Sequence, residues 1–299
     1  MVRTAYFRRT PLGEMLVDAV LYLIVLLIMF ITLFPFWNQV VISLSSGSAL
    51  YSTEVLLFPK QWTFGSYLVA LKYKSLWWGF YNSVVRAAVG VVLSLVFTSM
   101  FAYALSKKEL PFNSLFTAMI LFTMLFSGGL IPHYLLIKNL GLYNSVWALI
   151  LPSLISAFNV LIMRNFFRSI PEGLEESAKV DGAGYFLIYW KIVIPLSKPV
   201  LATVALWVAV THWNAWFDSL IYISDPHKQV LQVVLRKIIV DNNMDEFNAM
   251  LNQVDQRNMF SGRQLQATVI MLSMIPMLVV YPFVQKYFVK GIMLGSVKG

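Results

Sequence analysis

The run Glu176-Ser177-Ala178-Lys179-Val180-Asp181-Gly182-Ala183, followed by Ile192-Val193-Ile194-Pro195-Leu196, sets charges and small side chains between two long apolar stretches. That mixture suits docking. Small side chains let a second backbone approach closely, and the carboxylates and Lys179 fix register and partner. Covalent chemistry is not indicated. No Gly-x-x-x-x-Gly-Lys-Ser/Thr loop is present to cradle a nucleotide phosphate. His133, His212 and His227 lack metal-ligand spacing, and no nucleophile elbow or zincin pattern occurs. The chain is therefore expected not to be an enzyme.

A second group of polar residues lies inside apolar stretches, where such groups are costly and point to function. Asn159, Thr211, Asn214 and Asp218 are candidates for lining a translocation pathway. Asn214 and Asp218 are four apart and share a helix face, with Thr211 on the same stripe and Trp213 and Trp216 beside them. Amides, carboxylates and stacking rings are the groups that hold sugars. Hydrogen bonding between helices is the competing reading of the same residues. Arg86, near the end of its apolar stretch, is expected to snorkel to the interface.

The scaffold for both groups is a membrane bundle. The 299 residues are 59% hydrophobic and 12% charged, against about 25% charged in soluble domains. The net charge of +9 fits basic membrane loops better than nucleic acid, and with no cysteine there are no disulfides. A crossing helix needs about 20 mainly apolar residues. Stretches that qualify are Ala19–Leu44, Asn82–Leu105, Leu115–Leu136, Ser145–Phe167, Pro199–Ile223 and Leu265–Val289. A closed barrel would show short alternating segments, whereas Ala19–Ile31 is apolar on every face. The expected class is an all-α integral membrane protein of about six spans in a single transmembrane domain over residues 1–299. Placing the N-terminus inside puts most of the 23 Lys and Arg on the cytoplasmic side, Lys107, Lys108, Arg164, Arg168 and Lys179 among them. Both termini are then cytoplasmic. Ser45–Tyr81 and Ser224–Gln264 become external segments, read either as contacts for a solute or an external protein or as solvated caps on the helix ends.

A charged loop, residues 169–195, lies between the fourth and fifth stretches. Ser169 and Glu172 fit a capping box, and Gly182 and Gly184 are placed to stop the helix it starts. Tyr185–Ile194 is apolar but too short to cross. Glu176, Ser177, Ala178 and Gly182, with Ile192, Ile194 and Pro195 downstream, resemble the EAA loop of ABC importer permeases. Ser177 stands in place of the first alanine and Ile194 in place of a leucine. Arg164–Pro171, Asp181-Gly182-Ala183, Trp213-Asn-Ala-Trp216, Tyr281–Gly291 and Gly295–Gly299 look like the carbohydrate-uptake branch of that family, the branch of the maltose importer's smaller permease.

The resemblance covers nearly the whole chain from Leu16. It implies a type I importer permease fold in a bacterial cytoplasmic membrane, working in ATP-driven, binding-protein-dependent uptake of sugars or oligosaccharides. The implied partners are a second, different permease, two copies of a cytoplasmic ATPase that hold ATP and Mg, and an extracellular or periplasmic solute-binding protein. No cofactor would be bound by this chain itself, and no nucleic acid. Glu175, Glu176, Ser177, Ala178, Asp181, Gly182 and Ala183 would meet the ATPase, as would Gly295, Ser296 and Lys298 at the C-terminus. The external basic residues would tolerate an acidic oligosaccharide such as a uronate. The alternative is a self-sufficient ion-coupled transporter, which predicts inverted repeats and broken helices with midplane charges.

Overall fold

A computed structural model of the chain describes residues 12–46, 57–239 and 261–295. It divides into two units, residues 1–70 with 246–272 and residues 71–245 with 273–299. Among the described residues there are helices and no strands, with an isolated bridge between Ser45 and Trp62.

The first unit holds α1 (Leu12–Leu44), most of α2 (Gly65–Lys72) and the first turns of α14 (Gly262–Gly295). From Met15 to Ile31, α1 is exposed on all faces. Packing begins only near its end, where Val41, Ile42 and Ser43 are buried. There the polar groups satisfy one another. Ser66 Oγ donates to Ser43 O at 3.0 Å, Ser43 Oγ meets Tyr67 OH at 2.8 Å, and Thr268 Oγ1 donates to Ser66 Oγ at 2.9 Å.

The second unit is organised by α3 (Lys74–Ser106), one unbroken helix of 33 residues. Its buried face recurs every three or four residues and, Arg86 apart, is small: Gly79, Ser83, Arg86, Gly90, Ser94, Thr98 and Ala102. Apolar packing against lipid offers no gain over packing against protein, so membrane helices associate where small residues let backbones close up. α7 (Ala157–Arg168) and α11 (Lys198–Asn214) pack on α3. Together they share a core that includes Ala102, Leu105, Val160, Met163, Val204 and Val208.

Elsewhere in this unit the helices are broken. α4 (Asn113–Leu125) and α5 (Leu130–Asn139) meet at 112° across Gly128 and Gly129, and Gly129 takes φ +82°. α6 (Trp147–Ile150), continued by a 3-10 turn to Ser153, meets α7 at 50°. The segment Tyr185–Leu196, which comprises α9 (Tyr185–Ile188), a π turn (Tyr189–Val193) and α10 (Ile194–Leu196), meets α11 at 81°. Pro152, Pro195 and Pro199 lie in or beside these bends, where a missing N–H makes a kink cheap. α11 then stops at Asn214, and α12 (Phe217–Tyr222) follows a two-residue break. Three of the expected single spans therefore fall on bent or interrupted helices.

Of the expected loop 224–264, residues 240–260 lie outside the described residues, and the part before them is helical where its charge implied a loop. α13 (Leu231–Ile239) buries Leu231, Val233, Val234, Leu235 and Ile238. Gly79 of α3 admits it, since a Cβ there would lie 3.0 Å from Leu231 Cα. Ser83 Oγ accepts from Leu231 N at 2.9 Å, and Asn82 Nδ2 donates to the carbonyls of His227 and Gln229.

Candidate functional site

α8 (Glu172–Val180) is the helix of the EAA-like loop. Its C-terminus carries both bonds of a Schellman motif: Ala183 N donates to Ala178 O at 2.9 Å and Gly182 N to Lys179 O at 3.0 Å. Gly182 sits at φ +85°, where a Cβ would be strained. Two sequence expectations need correcting. Ser169 does not cap the helix; its Oγ donates back to Phe166 O at 2.7 Å, and Pro171 occupies the N-cap position. Pro171 disfavours helical geometry in the preceding residue, so the helix begins two residues later than the box implied. Gly184 does not stop α8 either. It is at φ −74° and opens α9.

The inner face of α8 meets the three residues that follow α3. Lys107 pairs with Glu175, Lys108 Nζ lies 2.8 Å from Glu172 Oε1, and Lys179 Nζ lies 3.8 Å from Glu109 Oε2. Glu172, Glu175 and Lys179 recur at helical spacing, so two acids and a base oppose two bases and an acid. The environments differ. The Lys108 and Glu172 side chains are 80% and 72% exposed, and solvent screens such pairs so that they contribute little. The Lys108 hydrogen bond still holds the Glu172 carboxyl below the usual carboxylate range. Lys107 and Glu175 are 18% and 13% exposed, and Lys107 Nζ also sits 4.4 Å from the Tyr103 ring centre. This is the pair that holds α8 in place. Arg168 and Asn113 secure the same corner: Arg168 donates to the carbonyls of Leu105 and Ser106, and Asn113 Nδ2 to those of Leu105 and Lys107. Cations there also suit the negative end of the α3 dipole.

The outer face of α8 is free within the unit. Gly173, Glu176, Ser177, Asp181 and Gly182 are exposed, and Val180 is 88% exposed. A groove of about 390 Å³ runs beside it, lined by Ala178, Asp181, Gly182, Ala183, Leu187 and Lys191 among others. Of the residues expected to meet a partner, Glu176, Ser177, Asp181 and Gly182 lie outward, Ala178 and Ala183 are half-buried at the groove wall, and Glu175 turns inward to Lys107. Gly295 ends α14, while Ser296 and Lys298 lie outside the described residues.

The pathway candidates are not assembled into one stripe. The break at Ala215 and Trp216 puts Asn214 at the end of α11 and Asp218 in α12, so their four-residue spacing does not place them on one helix face. Asn214 and Thr211 are exposed, and Thr211 Oγ1 donates to Trp207 O at 2.8 Å. Asn159 is buried in the first turns of α7.

Asp218 has a different partner. Arg86 does not snorkel; it is 2% exposed and paired with Asp218, whose side chain is 29% exposed. Arg86 Nη1 reaches Asp218 Oδ1 at 3.1 Å and Ala215 O at 3.3 Å, Nη2 reaches Leu149 O at 3.3 Å, and Nε donates to His212 Nδ1 at 3.3 Å. The guanidinium thus supplies donors to a backbone carbonyl freed by the break after α11, and it ties α3 to α6, α11 and α12. A planar fork of five N–H groups can do this; a lysine cannot.

His212 in turn needs Gly90. A Cβ at that position would sit 2.4 Å from His212 Nε2. Gly90→Ala is expected to lower stability by about 1–3 kcal/mol through overpacking, read as a fall in detergent-solubilised thermal midpoint. The same substitution in a His212→Ala background should cost less.

Sequence reasoning missed Lys107, Lys108 and Glu109 as partners of α8, and it missed Arg86 as the partner of Asp218. The signal for the first was the reciprocal order of charge, Lys-Lys-Glu against Glu172, Glu175 and Lys179. For the second it was a lone cation and a lone anion in two apolar stretches.

Comparison with known proteins gives these sites a setting. Residues 77–294 match the family described as binding-protein-dependent transport system inner membrane component. The polygalacturonan/rhamnogalacturonan transport system permease protein YtcP of Bacillus subtilis is 39% identical over 290 residues, 95% of this chain and 99% of that one. Protein LplC of the same organism is 39% identical over 90% of both. A chain in the crystal structure of a bacterial ABC transporter involved in the import of the acidic polysaccharide alginate is 37% identical, with a TM-score of 0.86, covering 95% of this chain and all of the other. The all-α type I importer permease fold expected from the sequence is the fold this likeness shows. On the family match and these identities, the chain belongs to the binding-protein-dependent transport system inner membrane components, as an integral membrane permease.

Proposed function

We propose that this chain forms half of the translocation pathway of an ATP-driven importer for acidic, uronate-containing oligosaccharides. The observation that carries the substrate class is the pair of relatives near 40% identity whose printed substrates, polygalacturonan or rhamnogalacturonan and alginate, are acidic polysaccharides. Relatives named for neutral arabinooligosaccharides and for melibiose, raffinose and stachyose are 27% identical, so the acidic class has the nearer support. A second, different permease completes the pathway, and an external solute-binding protein delivers the substrate.

The outer face of α8 seats in one of two cytoplasmic ATPase subunits, which hold the ATP and Mg; this chain binds no cofactor and hydrolyses nothing. An exposed Val180 beside a groove with charges at its rim supports that reading, because exposed apolar side chains rimmed by polar ones mark interfaces. With α8 cytoplasmic, both termini are cytoplasmic too, and Gly295, Ser296 and Lys298 reach toward the same ATPase.

The test is uptake by the whole complex, purified through a tag on this chain and reconstituted in proteoliposomes with its binding protein. Oligogalacturonates or oligoalginates should stimulate ATP hydrolysis and accumulate inside. Neutral malto- or arabino-oligosaccharides should do neither. Preference for the neutral sugars would remove the acidic assignment.

A further inference from the structure

Within the second unit α3 differs from its neighbours in being continuous. The α4–α5, α6–α7 and α10–α11 junctions bend by 112°, 50° and 81°. A displacement applied at one end of a bent pair is absorbed at the bend. α7 and α9, the helices that flank α8 in the chain, each lead into such a junction. α3 instead runs unbroken from Arg86 to Ser106, so Lys107 lies about 30 Å from Arg86 along the axis.

Both ends of that stretch are fastened. At one end the Lys107–Glu175, Lys108–Glu172 and Glu109–Lys179 pairs join it to α8, with Tyr185 OH donating to Glu109 Oε2 at 3.2 Å. At the other, Arg86 holds His212, Ala215 and Asp218 on the two sides of the α11–α12 break. Between the ends, small residues keep α3 in close contact with α11.

We propose that α3 is the rod of this permease: α8 and α3 move as one body, and Arg86 delivers the displacement of α8 to the break between α11 and α12. The proposal rests on α8 being the ATPase-docking helix. Lys107 and Glu175 are positioning residues at the driven end, and Arg86 is the positioning residue at the working end. The element biased from the cytoplasm is the α11–α12 break, and exposed Asn214 and Phe217 flank it. A coupling claim of this kind stands on energetic coupling between the ends, not on spatial intermediacy.

The experiment uses the full complex in proteoliposomes and reads substrate accumulated per ATP hydrolysed, with equal amounts of assembled complex. Lys107→Ala and Glu175→Gln should each lower that ratio about tenfold, and the charge-reversed pair Lys107→Glu with Glu175→Lys should regain most of the loss. Because the chain has no cysteine, Lys107→Cys with Glu175→Cys can be bridged by a short thiol cross-linker in a complex whose partners are cysteine-free. The reduced form should be poorly coupled and the bridged form restored, because a fixed joint replaces the ion pair. Glu175→Gln combined with Arg86→Lys should be no worse than the worse single variant, since both interrupt one line. Wild-type ratios in the single variants, a bridge that lowers the ratio further, or losses that multiply in the combined variant would each overturn the rod. Loss of uptake in Gly182→Pro with normal coupling in Lys107→Ala overturns the rod and leaves docking standing. Normal uptake in Gly182→Pro overturns both.

Discussion

Arg86→Ala is expected to destabilise the permease by about 3 kcal/mol, the lower end of the cost of breaking a buried ion pair, because Asp218 keeps some contact with solvent. The loss is larger than one pair because the same guanidinium also serves Ala215 O, Leu149 O and His212 Nδ1. Natural stability is about 5–15 kcal/mol, so the variant should reach the membrane in low amount and resist purification with partner subunits. Arg86→Lys keeps a cation beside Asp218 and loses the fork, and it should be intermediate. An Arg86→Ala/Asp218→Ala double variant removes the stranded charge and should recover part of the yield. Detergent thermal unfolding of the four proteins checks the order; equal midpoints for wild type and Arg86→Ala would show that the guanidinium is not structural.

Gly182→Pro should abolish ATP-dependent uptake while the protein stays in the membrane. Proline fixes φ near −65° and has no N–H, whereas Gly182 is at +85° and donates to Lys179 O. The Schellman closure is lost, and the exposed face that carries Glu176 and Ser177 turns away from the groove. Gly182→Asn, which takes the left-handed conformation at modest cost, should keep most activity. Glu176→Lys leaves the backbone intact and reverses the outward charge, so it should abolish uptake with normal assembly. Normal transport by Gly182→Pro or Glu176→Lys would remove α8 from the coupling route.

Much of this was legible in one dimension. Composition names the solvent, and a 20-residue apolar run is a local property, so the membrane class and the all-α architecture follow from the sequence. The outward residues Glu176, Ser177 and Gly182 were legible for the same reason: the EAA-like pattern lies within one helix and its cap. Pairing was not. Asp218 is 132 residues from Arg86, and no periodicity links them. The break at Ala215 carries neither proline nor glycine, so the i, i+4 rule was applied across a helix end that nothing local announces. α13 was hidden by composition. Asp225, Lys228, Arg236 and Lys237 mark a charged loop, yet Leu231, Val234, Leu235 and Ile238 recur at helical spacing and are buried. Broken spans with a buried charge had been expected of an ion-coupled transporter; they occur here in a binding-protein-dependent permease, so they do not separate the two classes.

The Arg86–Asp218 pair has a consequence for energy conversion. Moving one elementary charge across a membrane potential costs or yields about 2.3 kcal/mol per 100 mV. Arg86 on α3 and Asp218 on α12 are bound to each other, so a rearrangement that carries them together displaces a dipole and no net charge. Such a rearrangement costs nearly the same in an energised cell as in a de-energised one, and the field acts instead on whatever charge the solute carries.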